Sequence, residues 1–425
     1  MPGSRMVKKQ PASQTDAFKN YHRTLCEKII DGVFTPLKLG QLTIEWPPAT
    51  RRVYGREPEG IAAEILVRDH DFFRKCILYG DVGFGEAYVD GDWDTPDLAR
   101  VIEWMILNVE HHPTLMADEA KNSQVNWFRL FNTILHQLRD NTILGSRKNI
   151  SAHYDLGNDF FRTFLDPSMA YSSAYFTDDK QSLREGQEAK FDIWCKKLRL
   201  KADDRVLEIG CGWGGFAVYA ARHYGCHLTC ITISQEQFDY CRQLIQREGL
   251  QDKINLQFVD YRHVTGLYDK IISIEMIEAV GHKFLPVYFK QIHHLLKRDG
   301  VVGLQMILCP DHRYESFRKN VDFIQKHIFP GSLLPSLHAI QQAIYNSGIL
   351  CVFDYEDIAM SYARTLKLWR EAFNRNHDRV IAMGFDEAFI RKWNYYLSYC
   401  EAAFSMRNIA VAQVVLARPN NYLLV

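Results

Sequence analysis

The chain has 425 residues, of which 47% are hydrophobic and 24% charged, enough for two or more domains with buried cores. Its 51 Lys and Arg residues balance 51 Asp and Glu, so no net field draws the whole protein to nucleic acid or anionic lipid, and any membrane contact must be local or apolar. No stretch reaches the roughly 18 consecutive apolar residues of a membrane span, and the opening MPGSRMVKKQPASQTD lacks the apolar region of a signal peptide. The expected location is the cytoplasm, peripheral to the inner face of the membrane.

Ten cysteines, at 26, 76, 195, 211, 226, 230, 241, 309, 351 and 400, form no CxxC pair and have no histidine at zinc spacing. They read as small core residues in a reducing compartment, and no metal site is expected. Aromatic residues make up 13% of the chain, which suits either an aromatic core or a long apolar substrate.

Residues 1–16 are polar and read as a disordered tail. A helical stretch follows (AFKNYHRTLCEKIIDGVF), then short strands in QLTIEWP and AAEILVRD, then a helix, a glycine turn and a second helix between residues 69 and 106. Together these make a small α+β domain over 17–147. From 148 to 425 helices alternate with buried strands, the pattern of an open doubly wound α/β sheet. The strand candidates are RVLEIG, HLTCITI, INLQFV, KIISIEM and VVGLQMIL, with helices at about 183–199, 215–224, 235–249 and 285–298. Beyond residue 310 come aromatic helices and a closing strand, AQVVLAR.

The segment RVLEIGCGWGGF (205–216) is the most informative: an apolar strand enters a turn with glycines at 210, 212, 214 and 215. Such a turn lets backbone approach a nucleotide-like ligand at the start of a helix. A dinucleotide site would also want an acid about 20 residues on for the ribose hydroxyls, yet the next strand ends in Thr232 and Ser234. The acid Glu208 lies inside the motif instead, as ExGxGxG, which favours S-adenosylmethionine.

Eight ordered segments extend this reading: HYDLGNDFFRTFLDPSMAYSSAYF (153–176), VLEIGCGWGGFA (206–217), ITISQEQ (231–237), VDYR (259–262), EMIEAVGH (275–282), FIQKHIFPG (323–331), SYARTLKLWR (361–370) and YYLSYCEAAF (395–404). With GFGEAYVDGDWD (83–94), they resemble the cyclopropane fatty acid synthases and the mycolic-acid cyclopropane synthases. The resemblance implies a class I methyltransferase fold, Rossmann-like and doubly wound, with a smaller N-terminal lipid-binding domain and helical additions on the C-terminal side. It implies methyl transfer from S-adenosylmethionine to unsaturated acyl chains at a phospholipid bilayer surface, and it leaves room for a homodimer.

On that resemblance, Tyr171 and Ser172 close over S-adenosylmethionine, Gly210 and Gly212 meet its amino-acid part, Thr232 and Gln237 lie near ribose and adenine, and Asp260 and Tyr261 line the adenine pocket. An alkene that attacks a sulfonium methyl leaves a cationic carbon, and a proton must then leave the new methyl group for a ring to close. The site must therefore be dry and hold a base beside that methyl. The resemblance implies a bicarbonate ion as base, held by Glu278, Gln305 and Tyr362 with backbone from Ser173 and Ile307. A carboxylate beside that anion requires a shared proton.

Some relatives have cysteine where this chain has Ser173, and histidine where it has Gln305 and Ala279. Glutamine donates to an anion but does not titrate, so the departures bear on product more than cofactor. A hydride shift and loss of a different proton would give a methylene- or methyl-branched chain. Two further readings are N-methylation of a small amine and a non-catalytic lipid-binding protein with the same fold. His153, His282 and His327 read as structural or substrate-lining, and Lys319, Lys326 and Arg364 as candidate headgroup contacts.

Overall fold

The computed structural model describes residues 28–109 and 156–424, apart from 29–30, 48–49 and 57–59. The expected tail, most of the first expected helix, the boundary expected at 147/148 and His153 lie outside the described residues.

A four-stranded sheet comes first, from β1 (Gln41–Trp46), β2 (Thr50–Gly55), β3 (Ala62–Val67) and β4 (Trp93–Asp94), in the order β2-β1-β3-β4. Helices α1 (Asp71–Val89) and α2 (Leu98–Val109) accompany it. The expected glycine turn is a break inside α1, where Gly80 has φ 58° and ψ −130°. Beyond it Gly85 serves a close approach: a Cβ there would stand 2.5 Å from the Phe323 ring and 2.8 Å from that of Tyr395.

After the short α3 (Asn158–Phe161), the second unit runs α4 (Leu183–Lys197), β5 (Arg205–Ile209), α5 (Gly215–Tyr224), β6 (His227–Thr232), α6 (Gln235–Arg247), β7 (Ile254–Phe258), β8 (Tyr268–Ile274), α7 (Leu285–Leu295) and β9 (Leu296–Leu308). Then come α8 (Asp311–Lys319), α9 (Phe323–His327), α10 (Leu337–Tyr345), β10 (Cys351–Asp357), α11 (Ala359–Arg375), α12 (His377–Ala382), α13 (Glu387–Ser405) and β11 (Ala410–Ala417). The seven strands lie in the order β10-β11-β9-β8-β5-β6-β7. Strands β9 to β7 in that order are parallel, while β11 and β10 are antiparallel additions.

Local chemistry explains the boundaries. Ser182 and Glu185 form a reciprocal capping box at the start of α4, and Ser234 caps α6 by accepting the Gln237 N–H. Strand β5 buries Val206, Leu207, Glu208 and Ile209 because helices cover both faces of a parallel sheet. Strands β2 and β10, both edge strands, escaped the sequence reading. They read TRRVYG and CVFDYED, with mostly exposed or half-buried side chains and no apolar run to announce them.

The two units share a core. Leu42, Ile44, Ile65, Trp93 and Trp104 of the first unit pack in one apolar cluster with Trp369, Trp393 and Tyr395 of α11 and α13. Arg391 donates to the carbonyls of Tyr88 (2.6 Å) and Trp93 (2.7 Å), and Ser405 to Glu103 (2.7 Å). Lys326 and His327 both reach Oε1 of Glu86, at 2.7 and 2.9 Å.

Candidate active site

The chain lays down β5, β6 and β7 in one direction, then returns to place β8 on the other side of β5. This reversal opens a crevice at the carboxyl ends of β5 and β8, where ligands bind in open α/β sheets. Gly210 follows β5 and Glu275 follows β8, so both line the reversal. Met276 lies against the glycine turn, since a Cβ on Gly210 would stand 2.8 Å from its Cγ. The Ser273 hydroxyl donates to the Ile209 carbonyl at 3.0 Å, tying the two strand ends together.

The glycine turn fits S-adenosylmethionine. Gly210, Gly212 and Gly214 have φ of 80°, 54° and 89°, and a Cβ on Gly212 would meet nothing within 4 Å. Backbone is therefore presented to open space immediately before α5. At the end of β6, the Thr232 hydroxyl donates to Gln237 Oε1 at 3.0 Å and accepts the Ser234 N–H at 3.2 Å. Asp260 and Tyr261 follow β7, but their side chains have internal partners. Asp260 is held by Arg262 through Nε and a second guanidinium nitrogen, both at 2.7 Å. Burial opposes its charge, yet the Arg262 bonds hold the carboxyl below its ordinary value. Tyr261 stacks edge-on against Tyr288 at 5.3 Å, and burial pushes its phenol up to about 12.

Tyr171 stands in an aromatic wall of Phe161, Phe164, Phe329 and Trp369, its hydroxyl 2.9 Å from that of Tyr396. Ser172 accepts a 2.6 Å hydrogen bond from Lys190 Nζ. Lys190 is fully buried on α4, and burial pulls its ammonium down to about 8 against the attraction of Glu275, Asp166 and Glu208. Glu208, the acid inside the glycine motif, turns into the sheet. It accepts the Cys230 thiol at 3.4 Å, and burial pushes it up to about 8.

Two carboxylates dominate the remainder. Glu278 Oε1 accepts the Ile307 N–H at 2.5 Å, while its buried Oε2 has no hydrogen-bond partner among the described residues. Burial and the neighbouring Glu275 charge push its carboxyl up to about 8. Glu275 Oε1 accepts the Ser173 N–H at 2.9 Å and Gln305 Nε2 at 2.7 Å, and its carboxylate also takes the Tyr362 hydroxyl. Burial raises Glu275, and Gln305, Ser173, Lys190 and Tyr362 oppose that rise. Burial and Glu275 together push the Tyr362 phenol well above its ordinary range. Gln305 is saturated: its Oε1 accepts Trp194 Nε1 and Gln413 Nε2, each at 3.1 Å, and its Nε2 also reaches the Ser173 carbonyl at 3.4 Å. These partners fix which way the amide points.

The structure gathers Ser173, Glu278, Gln305, Ile307 and Tyr362 in one place. The expected bicarbonate does not fit that place. Of its intended donors, Ser173 N–H, Gln305 and Tyr362 already serve Glu275, and Ile307 N–H serves Glu278. Glu275 stands inside EMIEAVGH, three residues before Glu278, and the family resemblance implies no role for it. An acid directly after an apolar strand in a doubly wound sheet was the available signal. Lys190 gave no such signal, because it sits among ordinary polar residues of an amphipathic helix.

The candidate headgroup contacts are redirected. Lys326 serves Glu86. Arg364 donates to the carbonyls of Asp178 (2.8 Å), Asp179 (2.6 Å) and Gln181 (2.6 Å) above the Phe176 ring. Lys319 is on the surface, 3.8 Å from Glu315. His282 pairs with the Tyr314 hydroxyl at 2.7 Å and His327 with Glu86, both structural roles.

Residues 143–414 match the family model described as mycolic acid cyclopropane synthetase. Tuberculostearic acid methyltransferase UfaA1 of Mycobacterium tuberculosis is 37% identical over 353 residues, covering 81% of each chain. Cyclopropane-fatty-acyl-phospholipid synthase of Escherichia coli K12 is 36% identical over 357 residues, covering 84% of this chain and 88% of its own. Among solved structures, cyclopropane synthase CmaA1 in complex with SAH and CTAB superimposes with a TM-score of 0.60 at 33% identity, covering 64% of this chain and 97% of its own. The strand reversal, the open glycine turn and these matches lead to one assignment: the chain belongs to the mycolic acid cyclopropane synthetase family and is an S-adenosylmethionine-dependent methyltransferase with the class I fold.

Proposed function

We propose that this protein transfers the methyl of S-adenosylmethionine to the double bond of an unsaturated acyl chain in membrane phospholipid and closes a cyclopropane ring. The observation that carries this reading is the pair Glu275 and Glu278, enclosed beside the glycine turn. Addition to an alkene places positive charge on carbon, and a buried carboxylate offsets such charge where water is absent. Family membership supports the coarser statement, methylation or cyclopropanation of lipid acyl chains.

When bound, S-adenosylmethionine supplies an electrophilic methyl. Gly210 and Gly212 would approach its amino-acid part through backbone, Tyr171 and Ser172 would cover it, and Thr232 with Gln237 would stand near its ribose and adenine. Asp260 and Tyr261 would shape the far wall through the Arg262 clamp and the packing on Tyr288. Glu278, held by Ile307 N–H, would stay neutral at pH 7 and keep the pair at one negative charge.

A second reading is favoured by one comparison: UfaA1 is named a tuberculostearic acid methyltransferase. After the same first bond, a hydride shift onto the cationic carbon and loss of a proton from the new methyl would give a methylene-branched chain, and loss of a proton from a neighbouring chain carbon would give a methyl-branched chain that keeps a double bond. In either case the first unit, over 17–147, would present the lipid at the inner face of the membrane. The test is transfer of labelled methyl into vesicles of unsaturated phospholipid, with saturated phospholipid and a small amine as controls. Label confined to unsaturated lipid is the expected result; label in the amine alone, or in none of them, contradicts the proposal.

A further inference from the structure

We infer that Glu275 is the resident base of this enzyme: its carboxylate occupies the position where a bound bicarbonate was expected and itself removes the proton that ends the reaction. The inference rests on the acyl-chain reading proposed above.

Three observations carry it. The first is the convergence of donors. Ser173 N–H and Gln305 Nε2 both point at Glu275 Oε1, and the Tyr362 hydroxyl joins them on the same carboxylate. Donors that converge on one carboxylate favour its charged form, against the rise that burial brings to Glu275. No donor in that set remains for a second anion.

The second is backbone conformation. Glu275 has φ 50°, one of five described non-glycine residues with positive φ. A side chain in that region costs about 1–2 kcal/mol that glycine would avoid. The site nevertheless holds a full carboxylate side chain there, engaged by three donors. Backbone strain of this kind gathers where a side chain must be aimed.

The third is placement. Glu275 directly follows β8 at the strand reversal, and the next residue, Met276, lies against Gly210. Of the two carboxylates Glu275 is the one at the strand end itself, three residues nearer the reversal than Glu278.

The step balances with this group alone. The alkene π pair forms the new carbon–methyl bond as the methyl–sulfur bond breaks, and the sulfur keeps that bond's electron pair. The adjacent carbon is left cationic. Glu275 takes one proton, and the C–H pair it releases closes the ring, or forms a double bond if the proton comes from another carbon. The protonated carboxyl then returns its proton to solvent before the next turnover.

Calorimetric titration of bicarbonate into the S-adenosylhomocysteine-loaded wild-type enzyme tests this independently of turnover, alongside methyl transfer in bicarbonate-free and bicarbonate-supplemented buffer. Wild type is expected to show no saturable bicarbonate binding and equal turnover, within about twofold, in the two buffers. Glu275→Gly should lose at least about 100-fold in kcat, keep S-adenosylmethionine affinity within about threefold, and recover at least about tenfold with added bicarbonate or formate. Glu275→Gln, whose amide fills the same space, should show no rescue. Saturable bicarbonate binding by wild type, or turnover that needs bicarbonate, overturns the inference while leaving acyl-chain methylation intact. Absence of label in lipid in every buffer defeats the acyl-chain reading, and the titration still reports on Glu275. If Glu275→Gly does not fold, the wild-type arms decide alone.

Discussion

Gln305 Nε2 donates to Glu275 Oε1 across 2.7 Å, while its own Oε1 is pinned by Trp194 and Gln413. A neutral amide thus orients a carboxylate, and it does so without a proton of its own to exchange. Gln305→His places a ring where two N–H donors converge on an oxygen. One ring nitrogen cannot accept both and still leave a donor aimed at Glu275. We expect kcat to fall at least about tenfold with S-adenosylmethionine affinity little changed, as measured by steady-state kinetics and calorimetry.

Glu278 gives a pH signature. Its carboxyl is raised from an ordinary 4.5 to about 8 by burial and by Glu275. The native state therefore keeps a proton that the unfolded chain has already released, and stability falls as pH rises through that window. Glu278→Gln removes this dependence. The variant should melt within about 1 °C of wild type at pH 4.5 and roughly 3–6 °C above it at pH 9, a comparison made by scanning calorimetry.

Lys190 behaves in the opposite sense. Burial lowers its ammonium from 10.5 to about 8, so the unfolded chain binds the extra proton between those values and stability rises with pH there. Lys190→Met removes a costly buried cation and the donor to Ser172. Thermal stability at pH 7 should hold or improve, while S-adenosylmethionine binding weakens by up to about tenfold, because Ser172 loses the bond that holds it where it would cover the cofactor.

The glycines separate fold from ligand. Gly210→Ala meets both positive φ and the Met276 side chain at 2.8 Å, whereas Gly212→Ala meets only positive φ and open space. Gly210→Ala should destabilise by about 2 kcal/mol. Gly212→Ala should cost about 1 kcal/mol yet lose most cofactor binding, because its methyl enters the space the ligand needs. Denaturant melts and ligand titration distinguish the two.

The glycine turn and the parallel strands were legible because their chemistry is local: an apolar run, a turn only glycine tolerates well, then a capped helix. Glu278 and Tyr362 were legible through the family resemblance, and the fold brings them to one place. What stayed hidden depended on pairing across the fold. Lys326 and Arg364 looked like surface cations until Glu86 and the carbonyls of 178–181 claimed them. Glu275 was hidden because its donors come from residues 173, 305 and 362, and no spacing along the chain shows that convergence. The dependence of the first unit on α13 was hidden for the same reason. Since the two units share Trp93, Trp104, Trp393 and Tyr395 in one core, removing the first would expose apolar surface instead of freeing a catalytic module.

The central claim is tested most directly by mass spectrometry of unsaturated phospholipid vesicles after incubation with the enzyme and S-adenosylmethionine carrying a trideuterated methyl. The account predicts acyl chains that gain CD2 and retain no double bond. Chains that carry CD3, or that gain label and keep a double bond, would contradict ring closure.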